Sequence, residues 1–243
     1  MQRFSSLIPC AAIAFSFVAG SAGAVTVPLT GASSASAFNM DINLDGEKTA
    51  LGNQVAAVGH APPSYNSQNS MPSFSRGYNS PSGVSASLSG GSITSIARSA
   101  GPVSGQITSM GQSTVGTFNA TVNTPLGTLI SITAGNVISR ATYTLSRNNT
   151  RKAVGYADIG KVTINAPLLG INNKTFSGSP KVNQVLYQSP DKSVTVYLNR
   201  QVQTMAAGKP TSITVHAISV EFDKGINQLS IGADIVVGNA MAN

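Results

Sequence analysis

The stretch Ser193-Val-Thr-Val-Tyr-Leu-Asn199 alternates apolar side chains with more polar ones, one residue at a time. Successive side chains of a β-strand point to opposite faces, so this pattern places one face on a core and the other in water. Residues 38–45 and 230–237 alternate in the same way. Similar stretches, rich in the Val, Ile, Thr and Tyr that suit a pleated surface, lie at 113–123, 127–134, 136–145, 151–159, 160–166, 181–188 and 212–222.

Turn-forming residues separate these stretches. Asp45-Gly46 is typical of a hairpin, Ala134-Gly135-Asn136 and Asn172-Asn173 suit turns with positive φ, and Ser189-Pro190-Asp191 suits a β-turn. No window of ten or more residues keeps the helical period of 3.6. Many short strands between turns predict an all-β fold, a two-sheet β-sandwich-like single domain with minor or no helix.

The composition is poor in charge. Charged residues make up 9% of the 243 residues and hydrophobic residues 41%, whereas an average soluble domain has about 25% charged residues. This excludes a charge-rich disordered tail, a coiled coil and a polytopic helical membrane protein. Lys and Arg number 15 against 8 Asp and Glu, and they are scattered along the sequence. The densest group, Arg147, Arg151 and Lys152, has no aromatic residue among it, so we expect no nucleic-acid partner.

The N-terminus has the features of a secretory signal. Arg3 provides a positive charge, residues 7–18 are almost wholly apolar, and Ser21-Ala-Gly-Ala24 offers small residues for cleavage. We therefore predict a signal peptide at 1–24 and a secreted, extracellular or periplasmic protein. Cys10 is the single cysteine and lies in the removed segment, so the mature chain should contain no disulfide. The apolar run is too short to span a membrane, and we expect neither a membrane span nor a C-terminal anchor.

One segment lacks any strand pattern. Residues 60–83 read HAPPSYNSQNSMPSFSRGYNSPSG and are dominated by Pro, Ser and Asn. This composition predicts a long surface loop that carries Tyr65, Phe74 and Tyr78. The roughly 35 residues before it are too few to fold alone. We therefore predict one β-rich domain over 25–243, with this loop at about 60–83.

Asp41, Asn43, Asp45 and Gly46 resemble the first half of a calcium-binding loop. The full loop needs a carboxylate at its twelfth position, which is Gly52 here. The intervening residues are apolar and suit the buried face of a strand. The pattern therefore predicts a strand that ends in a turn, not a metal site.

The sequence contains no catalytic signature. Ser189 and Lys192 have the spacing of a serine–lysine acyl-transfer motif, but that chemistry needs a helix and the residues between them predict a turn. His60 and His216 are the only histidines, too few for most zinc sites, and His216 lies in the pattern of a half-exposed strand. Four acidic residues could serve in glycoside cleavage, although surface roles are their default. They are Asp158, Glu221, Asp223 and Asp234. We predict no catalytic, cofactor-binding or metal-binding residue and no cofactor.

Four tyrosines could form a sugar-stacking face, because the ring is apolar and its hydroxyl forms hydrogen bonds. They are Tyr143, Tyr156, Tyr187 and Tyr197. Lone tyrosines are also common packing residues of β-sheets, so both interpretations stay open at this point.

Five segments follow the order and pattern of a known group of exported proteins. They are 35–44 (ASAFNMDINL), 127–139 (GTLISITAGNVIS), 157–165 (ADIGKVTIN), 212–222 (SITVHAISVEF) and 233–242 (ADIVVGNAMA). In them the chain resembles the choice-of-anchor P family of bacterial proteins. The resemblance implies a β-rich secreted protein located at the surface or outside the cell, and it supplies no catalytic residues.

From these features we expect a non-enzymatic exported protein with a structural or interaction role in the bacterial envelope or extracellular matrix. Low charge leaves few residues to block strand edges, which favours self-association or pairing with an envelope or matrix partner. A carbohydrate-binding or adhesin module, with a glycan as its partner, is the first alternative. A secreted hydrolase with a dispersed site that includes His216 or Asp158 is the second.

Overall fold

A computed structural model describes residues 28–44, 47–52, 56–190, 192, 194–222 and 232–242. Within these ranges the chain is almost entirely β-strand, and its one helical element is a short 3-10 turn at Pro167–Leu169. The predicted all-β fold is therefore confirmed. The strands are β1 Gly31–Leu44, β2 Glu47–Gly52, β3 Ala56–Ala61, β4 Tyr65–Asn79, β5 Ser85–Ser99, β6 Gln106–Thr124, β7 Gly127–Ser146, β8 Arg151–Ala166, β9 Ile171–Gly178, β10 Gln184–Gln188, β11 Val194–Ala206, β12 Lys209–Phe222 and β13 Gly232–Ala242.

The strands form two antiparallel sheets that face each other as a sandwich. In the six-stranded sheet, β4 to β9 follow one another in chain order. The seven-stranded sheet has the order β10-β11-β12-β13-β1-β2, and β3 pairs with the first part of β1. The chain passes between the sheets from β3 to β4 and again from β9 to β10. Its path therefore runs once around the sandwich and brings β13 back beside β1.

The core between the sheets is built around three phenylalanines. The ring centroid of Phe38, on β1, lies 4.8 Å from that of Phe74 and 5.9 Å from that of Phe118, which both belong to the six-stranded sheet. The largest fully buried side chains are Phe38, Phe118, Leu88, Ile93, Ile107, Ile130, Ile132, Ile159, Ile164, Leu198 and Ile213. Burial of this apolar surface, at about 25 cal/mol per Å², is the main favourable contribution to the fold.

A row of irregular positions crosses the six-stranded sheet at mid-length. Ser92, Gly116, Asn136 and Gly160 face one another on β5 to β8, between regular pairs on either side. Ser92 and Asn136 have positive φ angles of 53° and 54°. Each faces a glycine, and a Cβ atom at Gly116 would lie only 2.7 Å from the Cβ of Ser92. The set of inward-facing residues shifts at this row, as it does at a β-bulge.

The row divides the inner face of the six-stranded sheet into two parts. Large side chains, including Leu88 and Phe118, cover one part. On the other part, three successive cross-strand rows consist mainly of serine, alanine and glycine. These rows are Ser95–Ser113–Ser139–Ala157, Ala97–Gly111–Ala141–Gly155 and Ser99–Ser109–Tyr143–Ala153. Small residues leave room for the opposite sheet, and the side chain of Gln201 on β11 lies directly against Gly155.

The prediction of a loop at 60–83 is wrong. Residues Tyr65–Asn79 form β4, an edge strand that pairs with β5 along its length. Most of its side chains are exposed, so its sequence shows no alternation, while its pairing depends on backbone hydrogen bonds. Phe74 is buried in the core, and the hydroxyl oxygen of Tyr65 lies 2.7 Å from the Oγ of Ser33 on the opposite sheet. Tyr78 is half-buried against the same core.

Two predicted strand breaks are also wrong. β7 continues through Asn136, and β8 continues through Gly160, because the row described above accommodates a positive φ inside the sheet. Asn173 likewise has a φ of 46° within β9 and not in a turn. The turn at Ser189 is confirmed, since the backbone N–H of Lys192 donates to the carbonyl of Ser189 over 2.9 Å. The serine–lysine spacing therefore lies in a turn and has no helix.

Several sequence predictions fall outside the described residues. They concern the signal peptide at 1–24, Cys10, Asp45-Gly46 and Asp223. β1 and β2 nevertheless pair antiparallel, with Leu44 opposite Glu47, and Asp41 and Asn43 belong to β1, as the strand interpretation of that motif predicts.

Candidate functional site

Positive charge is concentrated on the six-stranded sheet. Its strands contain one acidic residue, Asp158, and seven basic residues. The basic residues are Arg76, Arg98, Arg140, Arg151, Lys152, Lys161 and Lys174. Four other acidic residues belong to strands of the seven-stranded sheet, and the remaining three lie outside the described residues. The four are Asp41, Glu47, Glu221 and Asp234. Charges that are scattered in the sequence are therefore segregated by the fold, and the six-stranded sheet has a potential that attracts anions.

A cleft of about 560 Å³ opens on the outer face of this sheet, near the connection from β5 to β6. A cross-strand row runs through it, in which Asn66, Arg98, Met110 and Thr142 lie side by side on β4 to β7. We call it the outer cleft. Its lining residues are Tyr65, Asn66, Arg98, Ser99, Ala100, Thr108, Met110, Arg140 and Thr142. Its volume lies in the usual range for sites that bind small ligands.

Arg98 and Arg140 give the outer cleft its charge. Both side chains are exposed. The Nε of Arg140 donates a hydrogen bond to Oε1 of Gln112 over 2.8 Å, which orients the guanidinium on the sheet surface. The lining residues include no carboxylate. An anionic ligand could therefore form charge-assisted hydrogen bonds with both arginines.

Uncharged hydrogen-bonding groups and an apolar surface surround the two arginines. The Oγ1 atoms of Thr108 and Thr144 lie 3.2 Å apart on neighbouring strands, and Asn66 and Thr142 also line the cleft. Met110 is 7% exposed and forms an apolar floor. Hydroxyls, amides and apolar surface beside a cation are the groups that a sugar ring with an acidic substituent would contact.

Tyr156 extends the outer cleft on the β8 side. It is the direct cross-strand partner of Arg140, and it is 43% exposed. An exposed ring beside a guanidinium offers a flat apolar surface with a polar edge, which suits the face of a sugar ring.

The other three candidate tyrosines lie elsewhere. Tyr143 is buried on the inner face of β7. The hydroxyl of Tyr187 donates to the carbonyl of Leu169 over 2.9 Å, which is a packing role. Tyr197 belongs to the seven-stranded sheet, where the guanidinium of Arg200 lies 5.1 Å from its ring centroid. The structure therefore does not bring the four rings together as one sugar-stacking face.

The residues considered for catalysis lie on different sheets. His216 is the cross-strand partner of Arg200 on the seven-stranded sheet, and Arg200 forms an ion pair with Glu221. Asp158 lies on the six-stranded sheet, where its Oδ1 accepts a hydrogen bond from the hydroxyl of Ser179 over 2.9 Å. Burial lowers the pKa of His216 to about 4, and the charge of Arg200 acts in the same direction. His216 is thus neutral at neutral pH. Its side chain is half-buried, as its strand pattern predicts.

Within the described ranges, no group of three or more His, Cys, Asp or Glu residues lies close enough together to hold a metal ion. The same part of the chain contains no helix with the length and hydrophobicity needed to cross a membrane.

The sequence motifs did not identify the outer cleft, but the distribution of acidic residues could have. Between Glu47 and Asp191 the chain has a single acidic residue, Asp158. That acid-poor region contains all six strands of the six-stranded sheet. A count of both charge signs along the chain, and not of the basic residues alone, would have indicated a basic half of the molecule.

Comparison of the chain with protein-family models, with curated proteins and with solved structures found no match in any of the three. The resemblance to choice-of-anchor P proteins therefore stays a prediction from the sequence.

Proposed function

We propose that the protein is exported and acts outside the cell as a non-enzymatic interaction protein that binds an acidic polysaccharide of the envelope or matrix. The observation that carries the proposal is the charge segregation, with seven basic residues and one acidic residue in the strands of the six-stranded sheet. Arg98 and Arg140 place two of these charges at the outer cleft. The signal peptide predicted at 1–24 supports export.

The chemistry of the outer face of the six-stranded sheet favours a polysaccharide over a nucleic acid. Asn119, Thr133 and Thr163 lie opposite one another across β6 to β8, and such uncharged groups match the hydroxyls of sugar units. Single-stranded nucleic acids bind by stacking bases on several aromatic residues. Tyr156 has Arg140 and Gln112 as its neighbours along the cross-strand row. Tyr65, the other ring at the outer cleft, has its hydroxyl 2.7 Å from the Oγ of Ser33 on the opposite sheet, so the two rings do not form a row for stacked bases.

Affinity electrophoresis tests the proposal. The purified protein is run through native gels that contain polygalacturonate, dextran or no polymer. We expect polygalacturonate to retard the protein and dextran to leave its migration unchanged. Addition of about 1 M salt should abolish the retardation, because the Debye length is then only about 3 Å. Equal migration in all gels would overturn the proposal, and so would stronger retardation by double-stranded DNA at the same charge concentration.

Assembly of copies through β4 is a second candidate function. Among the described strands, β4 pairs only with β5, and Arg76 is the only charged residue in its 15 positions. A long edge with little charge can pair with another chain, although Pro72 within the strand opposes such pairing. Light scattering over a range of concentrations tests this candidate. Reversible dimers that Ser73→Lys prevents would support it, and a strict monomer would exclude it.

A further inference from the structure

A second cleft, of about 530 Å³, lies at the end of the sandwich where β7 turns into β8. We call it the end cleft. Both sheets contribute to its lining, which consists of Thr30, Gly31, Ala32, His60, Ala61, Tyr143, Leu145, Arg151 and Thr211. It shares no lining residue with the outer cleft. The two clefts are therefore separate places at which a ligand could bind.

Arg151 belongs to the inner side of the six-stranded sheet. Its cross-strand partner on β7 is Leu145, which is buried. The next residue, Lys152, is exposed and pairs with Thr144 on the outer face. The Nε of Arg151 donates a hydrogen bond to Oδ1 of Asn149 over 3.0 Å. The β7–β8 turn therefore orients this guanidinium at the end cleft, while Lys152 points the other way.

Tyr143 places a neutral hydroxyl near this cation. The hydroxyl donates to the carbonyl of Pro210 over 3.3 Å, so its oxygen can accept a hydrogen bond from a ligand. Burial raises the pKa of Tyr143, and the positive charge of Arg151 opposes that shift. Tyr143 and Arg151 both line the end cleft, so one ligand there could contact the phenol and the guanidinium together.

The remaining polar groups of the end cleft are also suited to an anion and to hydroxyls. His60 on β3 is exposed, and Thr30 and Thr211 also line the cleft and contribute hydroxyl groups. The lining contains no carboxylate. A guanidinium binds a carboxylate or a phosphate through two parallel hydrogen bonds. A volume of about 530 Å³ has room for a sugar unit.

We infer that the end cleft binds a single sugar unit that carries an oxyanion, either a carboxylate or a phosphate monoester, with Arg151 as the principal contact. The inference goes beyond the proposed function, because either cleft could bind its ligand without the other.

Isothermal titration calorimetry of the purified protein tests the inference with three probes, glucuronate, glucose 1-phosphate and glucose. We expect at least one acidic sugar to bind and glucose not to bind. Binding of glucuronate alone identifies the carboxylate as the ligand group, binding of glucose 1-phosphate alone identifies the phosphate, and binding of both identifies the oxyanion that they share. Failure of both acidic sugars, or equal binding of glucose, would overturn the inference.

Two neighbouring residues provide a matched pair of variants. Arg151→Ala and Lys152→Ala each remove one positive charge, and the strand places these charges on opposite faces. Arg151→Ala should weaken binding of the acidic sugar about tenfold to a hundredfold, whereas Lys152→Ala should leave it unchanged. Equal effects of the two variants would contradict a specific site.

His60→Ala provides a second test in case Arg151→Ala fails to fold, because an exposed side chain contributes little to stability. It should weaken binding of the acidic sugar several-fold, and wild-type affinity in this variant would contradict the assigned lining. Arg151→Ala should still be retarded by polygalacturonate. This retardation reports on the outer cleft alone. A lack of acidic-sugar binding at the end cleft can therefore be distinguished from a lack of polymer binding at the outer cleft.

Discussion

Arg140 on β7 and Tyr156 on β8 stand directly opposite each other on the outer face of the six-stranded sheet. Their chain neighbours Ala141 and Ala157 point inward and are fully buried, as the alternation of a strand requires. Directly opposed residues of an antiparallel pair have Cβ atoms about 5 Å apart. One ligand can therefore contact the guanidinium and the ring together.

Tyr156→Ala should weaken binding of polygalacturonate about fivefold, because the variant loses a contact worth about 1 kcal/mol with the sugar ring. The free energy of unfolding should change by less than about 0.5 kcal/mol, since the ring is half exposed. Affinity electrophoresis at several polymer concentrations measures the change. Tyr156→Phe is the control and should bind like the wild type. Unchanged binding by Tyr156→Ala would remove this residue from the site.

Gly116→Ala should lower the free energy of unfolding by about 1–3 kcal/mol. A Cβ atom at this position would lie 2.7 Å from the Cβ of Ser92 and 3.2 Å from the carbonyl oxygen of Gly91, so the rigid sheet would have to shift. Gly77→Ala is the matched control, since its Cβ would lie 3.6 Å from the nearest atom, the carbonyl oxygen of Ala86. Urea unfolding of both variants measures the difference. Equal stability of the two variants would contradict the close packing of Gly116 against Ser92.

Ser113→Ala should raise the free energy of unfolding by about 1 kcal/mol. The Oγ of Ser113 is fully buried and has no hydrogen-bond partner in the structure, and such a group retains the cost of its lost hydration. Ser33→Ala should have the opposite effect, a loss of about 1 kcal/mol, because it breaks the 2.7 Å hydrogen bond to Tyr65. Thermal unfolding in parallel compares the two changes. Destabilisation by Ser113→Ala would mean that its hydroxyl has a partner.

The stability of the protein should depend on His216 at acidic pH. Because the folded pKa is about 4 and the ordinary value is 6.5, the unfolded chain binds a proton between these values that the folded chain does not. The contribution of neutral His216 is complete above pH 6.5 and is lost as the pH falls towards 4, by about 3 kcal/mol at most. Urea unfolding at several pH values should show a smaller acid loss for His216→Asn than for the wild type. Identical pH profiles would contradict the buried neutral histidine.

β11 and β4 show which strands can be predicted from sequence. In β11, Val194, Val196 and Leu198 are fully buried in the core and alternate with more polar residues, and this alternation identifies the strand in the sequence. β4 lies at an edge and buries only Phe74. Its pairing depends on backbone groups that every residue has, which leaves little pattern in the sequence.

The conformation of Asn136 within β7 and the formation of the outer cleft depend on the register between strands, which a single sequence does not contain. The preference of Asn136 for positive φ is visible in the sequence, but whether it turns the chain depends on Gly116 and Gly160 on the neighbouring strands. Arg98 and Arg140 are 42 positions apart in the chain and meet at one cleft only when β5, β6 and β7 are aligned.

Polysaccharide binding at the outer cleft is tested most directly by two double variants that remove the same charge from the same sheet. Arg98→Ala/Arg140→Ala removes two charges at the outer cleft, and Lys161→Ala/Lys174→Ala removes two charges elsewhere on that sheet. The measurement is the dissociation constant for polygalacturonate, from affinity electrophoresis, with folding checked by circular dichroism. We predict that the arginine variant binds about tenfold or more weakly, while the lysine variant stays within about twofold of the wild type. Equal losses in both, or wild-type binding by the arginine variant, would contradict a polysaccharide site at the outer cleft.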